Sequence, residues 1–225
     1  MKKTTLNECV THILDHRGLT PKKLGGDWSN NGKYRVISAK NIKNGSLTNL
    51  TSIKRVNHEL YKRWMLVEIE KKDILITSEA PFGEALIWDS DEKIVLGQRI
   101  FGLKVNKDEC NPHYLYYWMT GPIFQSELYC RSTGTTVTGL RQPELLKCSV
   151  NLPNLDIQEK IANILLRIDK KIQINAQIND YLATWTDLSS KHRFHRITIS
   201  VAKHLLLLKG IYFRIHYFVC SRLLA

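Results

Sequence analysis

Through residues 1–154 the apolar positions come in short runs separated by polar turns. The runs at 34–38, 73–77, 84–88, 93–96 and 100–105 are rich in β-branched or aromatic residues. Each is bounded by Gly, Pro, Asn or Asp, which predicts strands. Two stretches repeat at helical spacing instead. In residues 58–65, Leu60, Tyr61 and Trp64 share a face; in residues 113–128, Leu115, Trp118 and Met119 are followed by Ile123, Phe124 and Leu128. Gly121-Pro122 predicts a break in the second. The expectation for residues 1–154 is a mixed α/β (α+β) globular domain without internal repeats.

From residue 155 the pattern changes. Ile161, Ile164, Ile168, Lys171, Asn175, Ile178, Leu182 and Trp185 recur at alternating spacings of three and four. That is a heptad seam, with Ile161, Ile168, Asn175 and Leu182 at a and the others at d. Pro153, Asp156 as N-cap and Glu159 three residues on mark its start. A helix over 155–185 would be about 45 Å long, at about 1.5 Å per residue. One reading packs it on its own domain. Its length favours the other, in which the C-terminal half pairs with a helix from another chain. Asn175 at an a position would cost stability and fix register.

Beyond residue 182 neither period persists. Residues 182–225 hold seven Lys and Arg against one acid, Asp187. Three readings of residues 186–225 stay open: a membrane-surface segment, a small subdomain, or a disordered stretch translated out of frame. No function is assigned to them. The expected organisation is a domain at 1–154, a long helix at 155–185 and an atypical basic, apolar tail at 186–225.

Composition narrows the function classes. The 225 residues are 43% hydrophobic and 24% charged, which excludes a wholly disordered, collagen-like or disulfide mini-protein. Lys and Arg outnumber Asp and Glu by 33 to 21, a formal +12, which points to an anionic partner, nucleic acid first. Half of that charge lies in the tail, so residues 1–181 carry only +6. The five cysteines (Cys9, Cys110, Cys130, Cys148, Cys220) form no CxxC pair and have no His at zinc spacing. They are expected to be reduced, in the cytoplasm, and mostly small buried hydrophobes. The N-terminal MKKTTLNECV lacks the apolar run of a signal peptide, and no run of about 18 uncharged apolar residues predicts a membrane span.

Catalytic motifs are not found. Asn111-Pro112-His113-Tyr114 is similar to the Asn-Pro-Pro-Tyr loop that holds a flipped adenine in amino-methyltransferases, but the second proline is missing and no glycine-rich cofactor loop lies upstream. Glu70-Lys71-Lys72 has the E-x-K spacing of metal-dependent nucleases without the preceding Pro-Asp pair. There is no P-loop, and the eight histidines form no metal motif, so no metal site is expected.

Polar loops remain. Lys40, Asn41 and Lys43 lie in SAKNIKNG, Ser78 and Glu79 in TSEAPFG, and Gln98 and Arg99 between two predicted strands. Ser132, Thr133, Gly134, Thr135, Thr136 and Arg141 lie in a hydroxyl-rich loop flanked by arginines. Backbone N–H groups, hydroxyls, Lys and Arg hold phosphates; Arg, Asn and Gln make paired hydrogen bonds to base edges. Each loop alone is better explained by ordinary turn chemistry; together with the net charge they suggest a DNA-facing side.

The runs VISAKNI (36–42), YKRWM (61–65), DILITSEAPFG (73–83), LGQR (96–99), TGTTVTGLRQPELL (133–146) and LPNLDIQEKIA (152–162), in this order and spacing, resemble a specificity subunit of a type I restriction-modification system. The similarity covers about residues 5–182 and corresponds to one target recognition domain and its spacer helix. The resemblance implies a non-catalytic subunit that reads one half of a split site in double-stranded DNA and holds the modification (methyltransferase) and restriction subunits there. S-adenosylmethionine, ATP and Mg would then belong to those partners, with no cofactor in this chain and no membrane involved. Such subunits carry two recognition domains and two long helices, whereas this chain resembles the N-terminal half, cut short. Two copies, or a second half-subunit, could pair through Ile161, Ile164, Ile168, Asn175, Ile178 and Leu182. The alternative is a truncated or phase-variant product that binds partner subunits but no longer confers DNA specificity.

Overall fold

The computed structural model describes residues 2–134 and 138–189, with side chains to Ala183 in the last helix. Of the tail expected at 186–225, residues 190–225 lie outside the described residues. The described residues divide into two units, the first ending at Gln158 and the second beginning at Glu159.

The first unit is built on two sheets. One is antiparallel, in the order β2 (Val10–Asp15), β10 (Ile100–Val105), β7 (Ile74–Thr77), β8 (Ala85–Ile87). The other is mixed. Its central strand β3 (Tyr34–Ile37) pairs antiparallel with β6 (Lys54–Val56) and parallel with β9 (Ile94–Leu96). The expected strands all form, within a residue or two of their predicted ends. A short hairpin, β4 (Ile42–Lys43) with β5 (Ser46–Leu47), follows β3. Helix α2 (His58–Trp64) inserts Leu60, Tyr61 and Trp64 as its periodicity predicts, and its N-cap Asn57 accepts from the Leu60 N–H at 2.9 Å.

The core lies where the sheets meet. Val36, Ile37, Val95 and Leu96 from one sheet and Leu75, Leu86 and Ile100 from the other are buried in one cluster with Trp64, Met65 and Trp88. Gly102, in the middle of β10, makes this approach feasible. A Cβ there would stand 2.7 Å from both Ile69 Cδ1 and Leu96 Cδ1.

Helices α3 (Pro112–Thr120) and α4 (Pro122–Cys130) break at Gly121-Pro122, as expected. The Asn-Pro-His-Tyr sequence has a structural explanation: Asn111 Oδ1 caps α3 by accepting from His113 and Tyr114, and Pro112 occupies the first turn, where its missing N–H costs nothing. Glu70 and Lys72 flank a tight turn in which Lys104 bridges Glu70 (3.3 Å) and Asp73 (3.1 Å). The one carboxylate of the E-x-K sequence, Glu70, thus meets a lysine, together with the neighbouring Asp73. Among the described residues no group of three or more His, Cys, Asp or Glu could hold a metal ion, and no helix is long and apolar enough to cross a membrane. Cys9, Cys110 and Cys148 are buried and Cys130 exposed, all as free thiols; Cys220 lies outside the described residues.

The sequence reading did not anticipate β2, β4, β5 or β6, nor the elements that close the domain. β1 (Lys2–Thr5) runs antiparallel to β11 (Ser149–Leu152), with Lys2 opposite Leu152. Helix α1 (Leu6–Cys9) separates β1 from β2, and the one-and-a-half-turn α5 (Gln142–Leu146) precedes β11. Glu127 on α4 ties this region together, accepting from the Ser149 N–H at 2.9 Å and pairing with Arg131 at 2.8 Å. Burial opposes ionisation of Glu127, but these donors prevail and hold its carboxyl below the ordinary value.

The long helix α6 spans Leu155–Ser189, four residues beyond the expected end. Its cap differs from the prediction. Asn154, not Asp156, receives the first free N–H, from Ile157 to Asn154 Oδ1 at 3.1 Å. Asp156 already lies in the first turn, where its charge suits the helix dipole. Of the expected seam, Ile161 is buried, Ile168 and Asn175 are half-buried, and Ile164, Ile178 and Leu182 are exposed. Ile174 and Tyr181 add exposed apolar surface.

Candidate nucleic-acid interface

The predicted polar loops converge, because the strands that carry them end together. β9 runs parallel to β3, so both chains leave the sheet at the same edge. There the Gly97 N–H donates to Ile37 O at 2.7 Å and the Ala39 N–H to Gln98 O at 3.2 Å, which joins the Ser38–Asn41 turn to the Gly97–Arg99 turn. The Ser78 N–H donates to Arg99 O at 2.9 Å and brings in the turn after β7. Leu140 closes the set, its N–H donating to Ser78 O at 2.9 Å. Thr133 and Gly139 exchange two backbone hydrogen bonds, at 2.9 and 2.8 Å, so the hydroxyl-rich loop stands on a two-residue neck beside Glu79.

The turn after β7 is itself tightly held. Thr77 Oγ1 donates to Pro81 O and accepts from the Glu84 N–H, Ala80-Pro81 is cis, and Gly83 has φ +72°. A side chain at Gly83 would stand 2.7 Å from Gln125 Oε1. Glu84 reaches across to accept from the Asn44 N–H at 2.7 Å, which fixes the end of β4, where Lys43 is exposed.

The predicted site residues divide by what their side chains do. Lys40, Lys43, Thr133, Gly134 and Arg141 are exposed. Arg99, at φ 63°, is also exposed and pairs with Glu79 at 3.0 Å. Asn41 is fully buried. Its Oδ1 accepts from Ser38 Oγ (2.9 Å) and the Ser38 N–H (3.2 Å), while its Nδ2 points at the carbonyls of Thr48 and Asn49. Gln98 is engaged at both ends, accepting from the Gly18 N–H at 2.9 Å and donating to Leu19 O. Ser78 is buried, and its hydroxyl bonds to no described residue. Ser132 donates to Tyr129 O at 2.6 Å. Thr135 and Thr136 lie outside the described residues.

The sequence reading missed the residue that joins these parts. Arg17, at the end of β2, forks onto Asp15 at 2.8 and 2.6 Å, stacks 4.5 Å above the Phe101 ring and donates from Nη1 to Leu140 O at 3.1 Å. Asp15 holds its guanidinium above its ordinary value, against the effect of burial. A lone Arg two residues after an Asp carries no signal in the sequence. Its partner loop lies more than a hundred residues away.

The outcome is an edge of exposed Lys, Arg, Thr and Gly, standing on a base of buried amide and guanidinium hydrogen bonds. It can offer phosphate and base contacts; it contains no arrangement of nucleophile, base and oxyanion donors among the described residues.

Known proteins share this arrangement of sequence and fold. The family model for the type I restriction modification DNA specificity domain matches residues 1–184. The type I restriction enzyme MjaVIII specificity subunit of Methanocaldococcus jannaschii is 30% identical over 89 residues, covering 40% of this chain and 21% of its own. The type I restriction enzyme EcoBI specificity subunit of Escherichia coli is 22% identical over 158 residues, covering 68% of this chain and 32% of its own. Among solved structures, the S subunit of a type I restriction-modification system from M. genitalium superposes with a TM-score of 0.55 at 20% identity, over 80% of this chain and 42% of that one. The chain thus spans between about a fifth and a third of the length of the curated relatives it matches.

Proposed function

Because the chain belongs to the type I restriction modification DNA specificity family, we propose that residues 1–154 form a target recognition domain that reads one half of a split site in double-stranded DNA. The observation that carries this reading is the convergence of Lys40, Glu79, Arg99, Thr133, Gly134 and Arg141 on one edge, held from below by Asn41, Gln98 and Arg17. Exposed cations there would meet phosphate, while Glu79 and Arg99, which face each other at 3.0 Å, can exchange their mutual pairing for base edges.

The chain acts in the cytoplasm as a non-catalytic subunit. Methyl transfer from S-adenosylmethionine, and any ATP- and Mg-dependent steps, belong to the modification and restriction subunits that it holds on DNA. The long helix α6 supplies the spacer. Its exposed Ile164, Ile174, Ile178 and Leu182 suit pairing with the helix of a second recognition module, either another copy of this chain or a different one.

Co-expression with the modification subunit, followed by mapping of adenine methylation across the host genome, tests the reading. A new gapped, palindromic site is expected if two copies pair, since a two-fold assembly reads two-fold half-sites. An asymmetric gapped site means pairing with a different module. No new methylation by a soluble, assembled complex would overturn DNA reading by this chain.

A further inference from the structure

The positive charge of the recognition domain is concentrated in one stretch of sequence, which includes Lys40 and Lys43 of the polar loops but lies mostly outside the loop edge. Residues 22–63 contain ten Lys and Arg against Asp27 and Glu59, a formal +8; the remainder of residues 1–181 is −2. Those on either side of the polar loop form a continuous part of the fold. The Ser29 N–H donates to Arg55 O at 2.9 Å, Arg55 Nη1 donates to Gly32 O at 3.3 Å, and Arg63 Nη1 donates to Leu24 O at 3.1 Å. Among the described residues Arg35 pairs with Glu92 and Arg63 with Glu59, while Lys22, Lys33, Lys54 and Lys62 are in no ion pair.

An exposed tryptophan marks this lobe. Trp28 is 40% exposed, leans on the buried Trp64 at 6.3 Å between centroids, and carries Lys54 Nζ 4.6 Å above its ring. Lys33 stands in the same way 5.9 Å from the Tyr34 ring. β6 is an edge strand, and lysines on an edge keep it from pairing with other sheets. That role explains Lys54 alone. It needs neither a tryptophan left half in water nor forty residues almost without acids. The lobe adjoins the loop edge: Lys23 Nζ donates to Gly18 O at 2.8 Å, and Gly18 is held by Gln98.

We infer that this lobe is a second, sequence-independent DNA contact, in which Lys33 and Lys54 take backbone phosphates beside the half-site and Trp28 covers the adjoining sugars. A duplex offers this surface what it lacks, closely spaced anions with apolar deoxyribose between them. The inference rests on the DNA-reading function proposed above.

The test uses the full chain and a mixed-sequence duplex of about 30 base pairs, with affinity followed by fluorescence anisotropy across a salt series. The Lys33→Ala/Lys54→Ala variant should bind more weakly, and its plot of log affinity against log salt should be shallower by about 1.8, from about 0.9 per phosphate contact. A Lys3→Ala/Lys107→Ala variant removes the same charge elsewhere on exposed positions and should keep the wild-type slope. Equal thermal midpoints for all three proteins confirm that the fold is intact. Equal shallowing in both variants would make the effect one of net charge and overturn the inference. An unchanged slope in the Lys33/Lys54 variant, with wild type binding steeply, would overturn the inference and leave DNA reading intact. A wild-type chain that does not bind the duplex at all would overturn both.

Discussion

Arg17 reaches Leu140, 123 residues further along the chain, through a 3.1 Å hydrogen bond from its guanidinium to the backbone carbonyl. The same side chain is gripped by Asp15 and lies on Phe101. The neck of the hydroxyl-rich loop is therefore anchored to the rigid four-stranded sheet. Arg17→Ala should destabilise the domain by about 2 kcal/mol, because it strips two charge-assisted hydrogen bonds from Asp15 and one from Leu140. It should also blur or abolish the methylated sequence. Arg17→Lys restores the charge but not the fork, and should recover stability better than sequence choice. Denaturant unfolding and methylation mapping read the two effects separately.

Gln98 offers a sharper distinction. If its amide read a base, Gln98→Ala would change one position of the recognised sequence. Both ends of that amide hold Gly18 and Leu19 instead. The expected result is weaker binding to every sequence, with faster hydrogen exchange at the Gly18 amide. A clean change at one base position would return Gln98 to the role of a base reader.

Glu127 predicts a pH dependence. Its folded-state value lies below the unfolded one of about 4.3, so its ionised form favours the fold. That contribution is complete above the unfolded value and fades as pH falls through the lower, folded one. Glu127→Gln should thus be less stable than wild type at neutral pH. The gap should stay flat down to about pH 5 and close below about pH 4. Thermal midpoints across pH 3–7 check this; a gap that widens in acid would refute it.

Gly102→Ala should cost about 1–3 kcal/mol, since the new methyl must displace Ile69 and Leu96 at the contact between the sheets. Little or no loss of stability on chemical unfolding would mean that the sheets can part there.

Ile164→Asp/Ile178→Asp places charge on exposed positions of α6. The thermal midpoint of the recognition domain should hold, while association between copies, followed by sedimentation, should fall. Unchanged association would show that this stripe is not the pairing face.

The sequence made some of this legible. Strands such as β7 and β10 and the helix α6 announce themselves because their apolar spacing is local and needs no knowledge of partners. β1 could not be seen in this way. Its Lys-Lys-Thr-Thr sequence is polar and becomes a strand only by pairing with β11 at the far end of the domain. The cap of the long helix differs from the one expected because Asn154 and Asp156 are both good caps, and only the backbone geometry chooses between them. The candidate edge was legible as a set of polar turns. The roles within it were not, because an amide that can pair with a base edge can equally pair with backbone. Asn41 and Gln98 do the latter for reasons set by tertiary neighbours such as Thr48 and Gly18. The concentration of charge in residues 22–63 was countable from the start, but became a surface only once Trp28 was found beneath Lys54.

The ladder between β1 and β11 sets Lys2 directly across from Leu152, so the chain enters and leaves the fold of residues 2–152 side by side. A module whose two ends emerge side by side can be cut out and grafted into another chain without rerouting anything around it. If residues 1–154 read DNA as proposed, a new specificity can in this way be acquired by exchange of an intact cassette, rather than by stepwise change within a fold whose amides are already committed to holding it together.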